Sequence, residues 1–258
     1  LEMLKKEKIS KTGTLSLKTV KDMVTIIKAS MNYGIKIGII ENINIEYKIP
    51  KDINKKDMDT FNMKEYRRLF NFLISNVNYK NLGIVLSMVT GIRIGEICGV
   101  KWKDIDLDKG IIVIKRTVQR IYINNSEFKG SKVIISVPKT SKSHRIIPLN
   151  NEILKLFEKF KVSEELYLIS GKTKPSEPRI YREYYYNILK KLEIRKLSFH
   201  SLRHSFATRA IEMGTDYKTL SEILGHSSVN TTLNLYVHPQ LEHKKKCIEN
   251  FFEALKNK

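Results

Sequence analysis

The amino-acid sequence predicts a mainly α-helical protein with a small antiparallel β-sheet near its middle. Three observations predict it. Apolar residues recur at three- and four-residue spacing over residues 17–35 and 66–73, and again in several segments after residue 150, which is the period of an amphipathic helix. Between these blocks lie three short segments rich in β-branched residues, 111–114 (IIVI), 133–137 (VIISV) and 145–149 (RIIPL), with the length and composition of strands. Finally, the chain has 258 residues, 41% hydrophobic and 29% charged, enough to bury a core of one large or two smaller domains.

Taken in order, Leu17, Val20, Val24, Ile27, Met31 and Ile35 form one apolar stripe, with Ser16 placed as its N-cap and Gly34 and Gly38 marking its end. A stripe on a single helix needs partners and few others are available before residue 49, so residues 1–48 read as part of a small helical domain whose beginning is missing. Residues 49–59 (IPKDINKKDMD) are polar, charged and interrupted by proline, and read as a linker. Residues 60–258 read as the second domain. Asn62 and Glu65 stand at capping-box spacing, followed by Tyr66, Leu69, Phe70 and Leu73 on one face. Residues 82–89 run apolar without a break and read as a buried helix. After the turn-like 106–110 segment (DLDKG) come the three strands. Residues 138–143 (PKTSKS) read as the turn between the last two, and 125–131 as a further loop. Ile153, Leu156, Phe157 and Phe160 then mark one helix, and Ile180, Tyr184, Ile188 and Leu192 another. Residues 200–213 and 216–224 mark two more. Ile248, Phe251, Phe252 and Leu255 stripe a C-terminal helix behind Lys244–Lys246. No internal repeat or low-complexity tract interrupts this order.

Lysine and arginine total 47 against 27 aspartate and glutamate, a net charge of +20. Such an excess favours a polyanionic partner, nucleic acid foremost, although RNA-binding proteins and proteins of anionic membrane surfaces share it. Two cysteines, Cys98 and Cys247, exclude a disulfide-dense scaffold and a multi-thiolate zinc finger. No apolar run approaches the ~20 residues of a membrane span, and residues 1–8 (LEMLKKEK) lead straight into polar sequence without a signal-peptide pattern. No membrane partner is expected, and the expected place of action is the cytoplasm. The first residue is Leu, so a fragment of a longer chain is one expectation.

Several residues have the chemistry of a phosphate site. His200 and Arg203 share a helix face in HSLRH (200–204), pairing a proton-transfer group with a forked donor suited to phosphate oxygens. A plainer reading is two unrelated surface side chains. Arg93 stands between two glycines in TGIRIGE (90–96), where a turn could project its guanidinium into a cleft. The plainer reading there is a C-cap at Gly91 and a salt bridge from Arg93 to Glu96. Lys139 lies in the predicted turn, with Lys132 and Lys142 as competitors. His226 follows a helix end in LGH (224–226), and Tyr236 is a possible covalent nucleophile among 12 tyrosines.

Arg93, Lys139, His200, Arg203, His226 and Tyr236 occur in that order at separations of 46, 61, 3, 23 and 10 residues. With TGIRIGE (90–96), PKTSKSHRIIPL (138–149), HSLRH (200–204), LGH (224–226) and TTLNLYVHP (231–239), the chain resembles the tyrosine recombinases, the phage-type integrases, over roughly residues 14–250. It is similar in flavour to integrases of conjugative transposons and temperate phages. Residues 15–38 resemble the later helices of that family's core-binding domain.

The resemblance implies a mainly helical catalytic domain with a small antiparallel sheet, joined to a partial core-binding domain, the two clamping double-stranded DNA at element ends and target site. It implies that Tyr236 attacks the scissile phosphate to form a 3′-phosphotyrosyl bond, with a 5′-hydroxyl released and later exchanged. Arg93 and Arg203 would hold the phosphate oxygens, His226 would add a donor, Lys139 would protonate the leaving oxygen, and His200 would be base or positioning group. No cofactor, metal or ATP is implied. His204 and Glu96 read as structural, and Trp102 as core rather than a DNA-stacking group. Residues 242–258 are expected to pass as a helix to a neighbouring subunit in a homotetramer on DNA, the alternative being a fold-back in cis. Accessory DNA-bending proteins are possible partners, and action on the nucleoid of a bacterial host is implied. An upstream arm-binding domain and the first core-binding helices are also implied, and neither is in this sequence. Competing readings are a catalytically silent relative, a type IB topoisomerase and, from another class, an RNA-binding basic protein that would not need Tyr236.

Overall fold

Polar caps set many of the helix boundaries in the computed structural model, which describes residues 16–41, 59–124, 129–137, 144–236 and 241–256. The chain divides into two compact units, residues 1–57 and 58–258. In the first, helix α1 (Leu17–Lys36) starts where the Ser16 hydroxyl accepts from the Thr19 amide at 3.1 Å. Val20 and Gly34 are its buried residues. Gly34 lies in the last turn of the helix, and the Ile40 side chain folds back onto it: a Cβ there would stand 2.6 Å from Ile40 Cδ1. Gly38, with φ +74°, follows the last turn. Ile27 of the predicted stripe is exposed. The predicted linker lies outside the described residues except for Asp59.

The second unit opens as the sequence expects. Helix α2 (Met63–Ser75) carries a complete capping box: the Asn62 side chain accepts from the Glu65 amide and the Glu65 carboxylate accepts from the Asn62 amide, each at 2.9 Å. Its Leu69 and Leu73 are buried. Helix α3 (Tyr79–Thr90) is buried on nearly all sides, which explains its unbroken apolar run. The Ser87 and Thr90 hydroxyls donate to helix carbonyls one turn back and so tolerate burial. A short helix α4 (Ile94–Gly99) and a 3₁₀ turn (Trp102–Asp104) follow. Trp102 is fully buried, edge-on against Phe157 at 5.9 Å, as a core residue.

The strands are β1 (Ile105–Asp106), β2 (Ile111–Ile114), β3 (Thr117–Asn124), β4 (Lys129–Ser136) and β5 (Arg145–Pro148). They form two sheets, β1-β2-β5 and β3-β4, with antiparallel pairing throughout. Ile112 pairs with Ile147, and Thr117 with Ser136. Two expectations are corrected. Strands β1 and β3 are additional, β1 being two residues long and β3 having its pattern masked by polar Gln119 and Arg120. The segments 133–137 and 145–149 are not partners, since β4 pairs with β3 and β5 with β2. Short β-branched runs do not encode which run they pair with. The expected turn 138–143 lies outside the described residues, as do 125–128 of the expected loop. Residues 129–131 of that loop belong to β4.

Six helices follow: α5 (Asn151–Glu158), α6 (Pro178–Lys191), α7 (His200–Glu212), α8 (Tyr217–Leu224), α9 (Val229–Tyr236) and α10 (Leu241–Lys256). Helix α6 is rotated relative to expectation. Its buried face is Tyr181, Tyr185, Ile188 and Leu189, while Ile180 is 58% exposed. Tyrosine serves as core here because the Tyr181 hydroxyl donates to the Lys80 carbonyl at 2.6 Å, and the Tyr185 ring meets Phe199 edge-on at 5.1 Å. On α10, Ile248, Phe251, Phe252 and Leu255 are exposed. Among the described residues, no helix is long and apolar enough to cross a membrane.

Candidate active site

Two left-handed glycines build the site. Helix α3 ends at Gly91, φ +67°, and α8 ends at Gly225, φ +66°. A Cβ on Gly91 would stand 2.6 Å from Leu224 Cδ2 and 2.9 Å from Phe206 Cδ1, so glycine also lets α7, α8 and the α3–α4 turn close together. Arg203, fully internal on α7, donates from Nη1 to the Gly91 carbonyl at 2.9 Å.

Arg93 is the N-cap of α4. Its amide donates to Glu96 Oε2 at 3.0 Å and its Nη1 to Glu96 Oε1 at 2.9 Å. Nη1 and Nη2 also reach the carbonyls of Leu224 and Gly225, at 3.4 and 3.3 Å. With 37% of its side chain exposed, Arg93 can still meet a ligand. Both readings of TGIRIGE therefore hold at once: Gly91 is a C-cap, Arg93 pairs with Glu96, and its guanidinium borders a cleft. Glu96 is nearly buried and shared with Arg145, which donates to its two oxygens at 3.0 and 2.9 Å. Burial pushes the Glu96 carboxyl up, but the Arg145 hydrogen bonds and the charges of Arg145 and Arg93 outweigh it and hold it below the usual range.

His200 opens α7 and is exposed. Its ring meets that of His204, one turn on, edge-to-face at 4.5 Å. A cleft of about 510 Å³ is bordered by Arg93, Arg120, Arg182, His200 and Arg203. His226 follows Gly225, its amide donating to the Ser221 carbonyl at 3.0 Å. Its Nδ1 lies 2.8 Å from the hydroxyl of Thr232, a buried residue of α9. His226 borders a second cavity, about 690 Å³, with Arg145, Glu222 and Gly225. The bonds from Arg93 to residues 224 and 225 join the walls of the two.

Both imidazoles are pushed down to about 4. Burial is the first cause for each, followed by His204, Arg203 and Arg93 for His200, and by Arg203, Arg93, Arg145 and His200 for His226. Solvent at exposed His200 weakens the effect there relative to His226. Both are neutral near pH 7, so each has one donor and one acceptor nitrogen.

Four of the six sequence-derived residues, Arg93, His200, Arg203 and His226, thus gather around the Gly91 and Gly225 turns. Tyr236 is the last residue of α9, one turn beyond Thr232, and its side chain lies outside the described set. Lys139 lies outside it altogether. Sequence reasoning missed Arg145, Thr232, Arg120 and Arg182. Arg145 carried a signal, being the charged first residue of a β-branched strand. Thr232 carried none, since its contact crosses a turn. Among the described residues, no group of three or more His, Cys, Asp or Glu is placed to hold a metal ion. Guanidinium groups beside neutral imidazoles, with Glu96 engaged on its inner side, make a pocket for an anion such as a phosphodiester.

Residues 59–243 match the Phage integrase family, and the chain belongs to that family, the tyrosine recombinases. It is 29% identical to a tyrosine recombinase XerC-like protein of Caldanaerobacter subterraneus subsp. tengcongensis, over 91% of this chain and 66% of the relative. It is 24% identical to the ICEBs1 integrase of Bacillus subtilis (strain 168), over 96% of this chain and 68% of the relative. The chain thus spans about two thirds of the length of these relatives. A solved structure of the Tn1549 transposon integrase with transposon right end DNA superposes with a TM-score of 0.72 at 23% identity, over 92% of this chain and 80% of that one. A lambda integrase dimer bound to a core site gives 0.56 at 19% identity, over 86% and 74%. The likeness to these structures is one of fold.

Proposed function

We propose that this chain is a site-specific DNA recombinase that cleaves and rejoins strands through a 3′-phosphotyrosyl intermediate, integrating or excising a mobile element. The observation that carries this reading is the convergence of Arg93, Arg203 and His226 on one pair of turns, with His200 beside Arg93 and Arg203 in the cleft and Tyr236 on the helix that bonds His226. Double-stranded DNA is the substrate, and the net charge of +20 supports it.

In the cleavage step the Tyr236 oxygen bonds to phosphorus and the phosphorus–O5′ bond breaks. Neutral His200 accepts or guides the phenolic proton, whose ordinary pKa is ~10, and Lys139 gives a proton to the departing 5′-oxygen. Arg93 and Arg203 hold the non-bridging oxygens as charge builds on them. His226 completes the cradle. To donate to phosphate the neutral ring must carry its proton on Nε2, and the Thr232 hydroxyl, 2.8 Å from Nδ1, is placed to donate to that nitrogen. Attack by a 5′-hydroxyl of the partner strand reverses the step. One phosphodiester replaces another through a phosphotyrosine, so the chemistry requires no ATP and no cofactor.

Recombination joins two duplexes, so the working assembly is a homotetramer on DNA. The exposed apolar face of α10 supports helix exchange between subunits as its link. Accessory DNA-bending proteins and a site of action on the cytoplasmic nucleoid belong to the same reading. The test is covalent trapping on nicked duplex DNA carrying the element-end sequence, followed by denaturation. A protein–DNA band is expected from the wild-type chain and none from Tyr236→Phe, with binding by the variant nearly intact. An equal band from the variant would overturn the nucleophile assignment.

A further inference from the structure

We propose that Arg145 is a positioning residue of this active site, holding Arg93 through Glu96 and the turn before His226 through Ile223. The inference rests on the recombinase reading above and adds a residue to its machinery.

Arg145 is the first residue of β5 and pairs with Ile114 of β2, so a sheet fixes its backbone. On this strand Arg145 and Ile147 face inward while Ile146 is 60% exposed. A guanidinium therefore occupies a position where the alternation calls for an apolar side chain. The Arg145 side chain is 5% exposed, and Nε, Nη1 and Nη2 each donate within the protein, so it acts through its neighbours. Its donors serve two partners, the Glu96 carboxylate and the Ile223 carbonyl. Nη1 and Nη2 take the two oxygens of Glu96 at 3.0 and 2.9 Å, and Nε takes the Ile223 carbonyl at 2.6 Å.

Each contact leads to a residue of the anion pocket. The same two Glu96 oxygens accept from Arg93, one from its guanidinium and one from its amide. Glu96 is thus a bridge between a buried arginine and an accessible one. Ile223 begins the turn that ends in His226. That turn rests directly on the guanidinium: a Cβ on Gly225 would stand 2.8 Å from Arg145 Nη1 and 3.1 Å from Cζ. Glycine at 225 therefore serves both the left-handed bend and this close seat. One planar group ties β5, the start of α4 and the end of α8 into a single geometry. Lysine in its place would keep the charge but not the fork that spans a carboxylate and a carbonyl together. Burial of an ion pair is a poor source of stability, and in this proposal the Arg145–Glu96 pair serves instead to fix the arrangement that positioning two phosphate donors requires.

The experiment compares wild type with Arg145→Lys in two measurements. In the first, hydrogen exchange of the 221–228 backbone is followed without DNA. In the second, covalent trapping is timed on the nicked duplex and on the same duplex with sulfur as the 5′-bridging atom, a leaving group that needs no proton. The variant is expected to unfold cooperatively, to bind duplex DNA within about twofold of wild type, and to exchange amides 223–226 faster. It is expected to trap DNA on the order of 10²-fold more slowly, with the deficit undiminished on the sulfur substrate because the phosphate-holding side is displaced. Glu96→Gln is expected to show the same slowing, and the double variant no more than either single one. Should Arg145→Lys fail to fold, Glu96→Gln alone carries both measurements. Unchanged exchange with an unchanged trapping rate would overturn the proposal, as would full rescue by sulfur. Absence of trapping by the wild-type chain would instead defeat the recombinase reading, and the exchange comparison would still decide whether Arg145 holds the turn.

Discussion

At the scale of single residues, Gly91 and His226 show how closely backbone and chemistry are joined here. Gly91 combines a left-handed φ with contacts that leave no room for a methyl group. Gly91→Ala is expected to destabilise the fold by about 1–3 kcal/mol, read from the urea midpoint, and to slow trapping because the Arg203 carbonyl partner moves. His226 makes a prediction about acid. Its folded pKa of about 4 lies below the ordinary 6.5, so between those values the unfolded chain binds more protons than the folded one. Stability from this group is complete above pH 6.5 and falls as the pH drops toward 4, by at most about 3 kcal/mol. Exposed His200 adds a smaller effect in the same window. Glu96, held below its usual 4.5, contributes stability above that value and loses it as the pH falls through its lower folded value. Urea midpoints at pH 7 and 4.5 should therefore separate less in His226→Gln than in wild type. An equal separation would remove His226 as a source of the acid sensitivity.

At the scale of elements, the legible parts were those whose signals are local. The Asn62–Glu65 capping box, the Ser16 cap and the buried run of α3 are encoded within a few residues of one another, and each stands as the sequence indicates. Asn62→Ala is expected to cost ~1 kcal/mol in the urea-derived stability. Helix α6 was legible as a helix but not by face, because tyrosine can pack in a core or face solvent, and only its tertiary neighbours decide which. Tyr181→Ala should cost about 3–5 kcal/mol, whereas Ile180→Ala should stay within about 0.5 kcal/mol. The reverse order of thermal midpoints would restore the face centred on Ile180. The strands were legible as strands, but β4 and β5 belong to different sheets. Pairing is a long-range choice made by turns, register and burial, and no single segment carries it.

At the scale of the whole molecule, charge and the C-terminal helix make the predictions. If the chain neutralises about 6–10 phosphates, its affinity for duplex DNA should fall by roughly 10³–10⁵ between 50 and 200 mM salt. A flat salt response in a binding titration would argue against a phosphate-dominated interface. Deleting residues 242–258 should reduce the size of the complex assembled on paired sites while leaving binding by one subunit nearly unchanged, as read by sedimentation and gel shift. An unchanged complex size would exclude α10 as the link.

The sequence by itself determined the helical class, the existence of the strands, the basic character, and the order of Arg93, Lys139, His200, Arg203, His226 and Tyr236 that marks the family. These depend on composition, on local periodicity or on motifs read along the chain. Only the tertiary structure decided that Arg93 and Arg203 border one cleft beside two glycine turns, that Thr232 faces the His226 ring, and that Arg145 shares Glu96 with Arg93. Arg145 lies 49 residues from Glu96 and 78 from Ile223 along the chain. Their meeting is made by the packing of β5 and α8 beside α4, and such packing leaves no period or spacing to read.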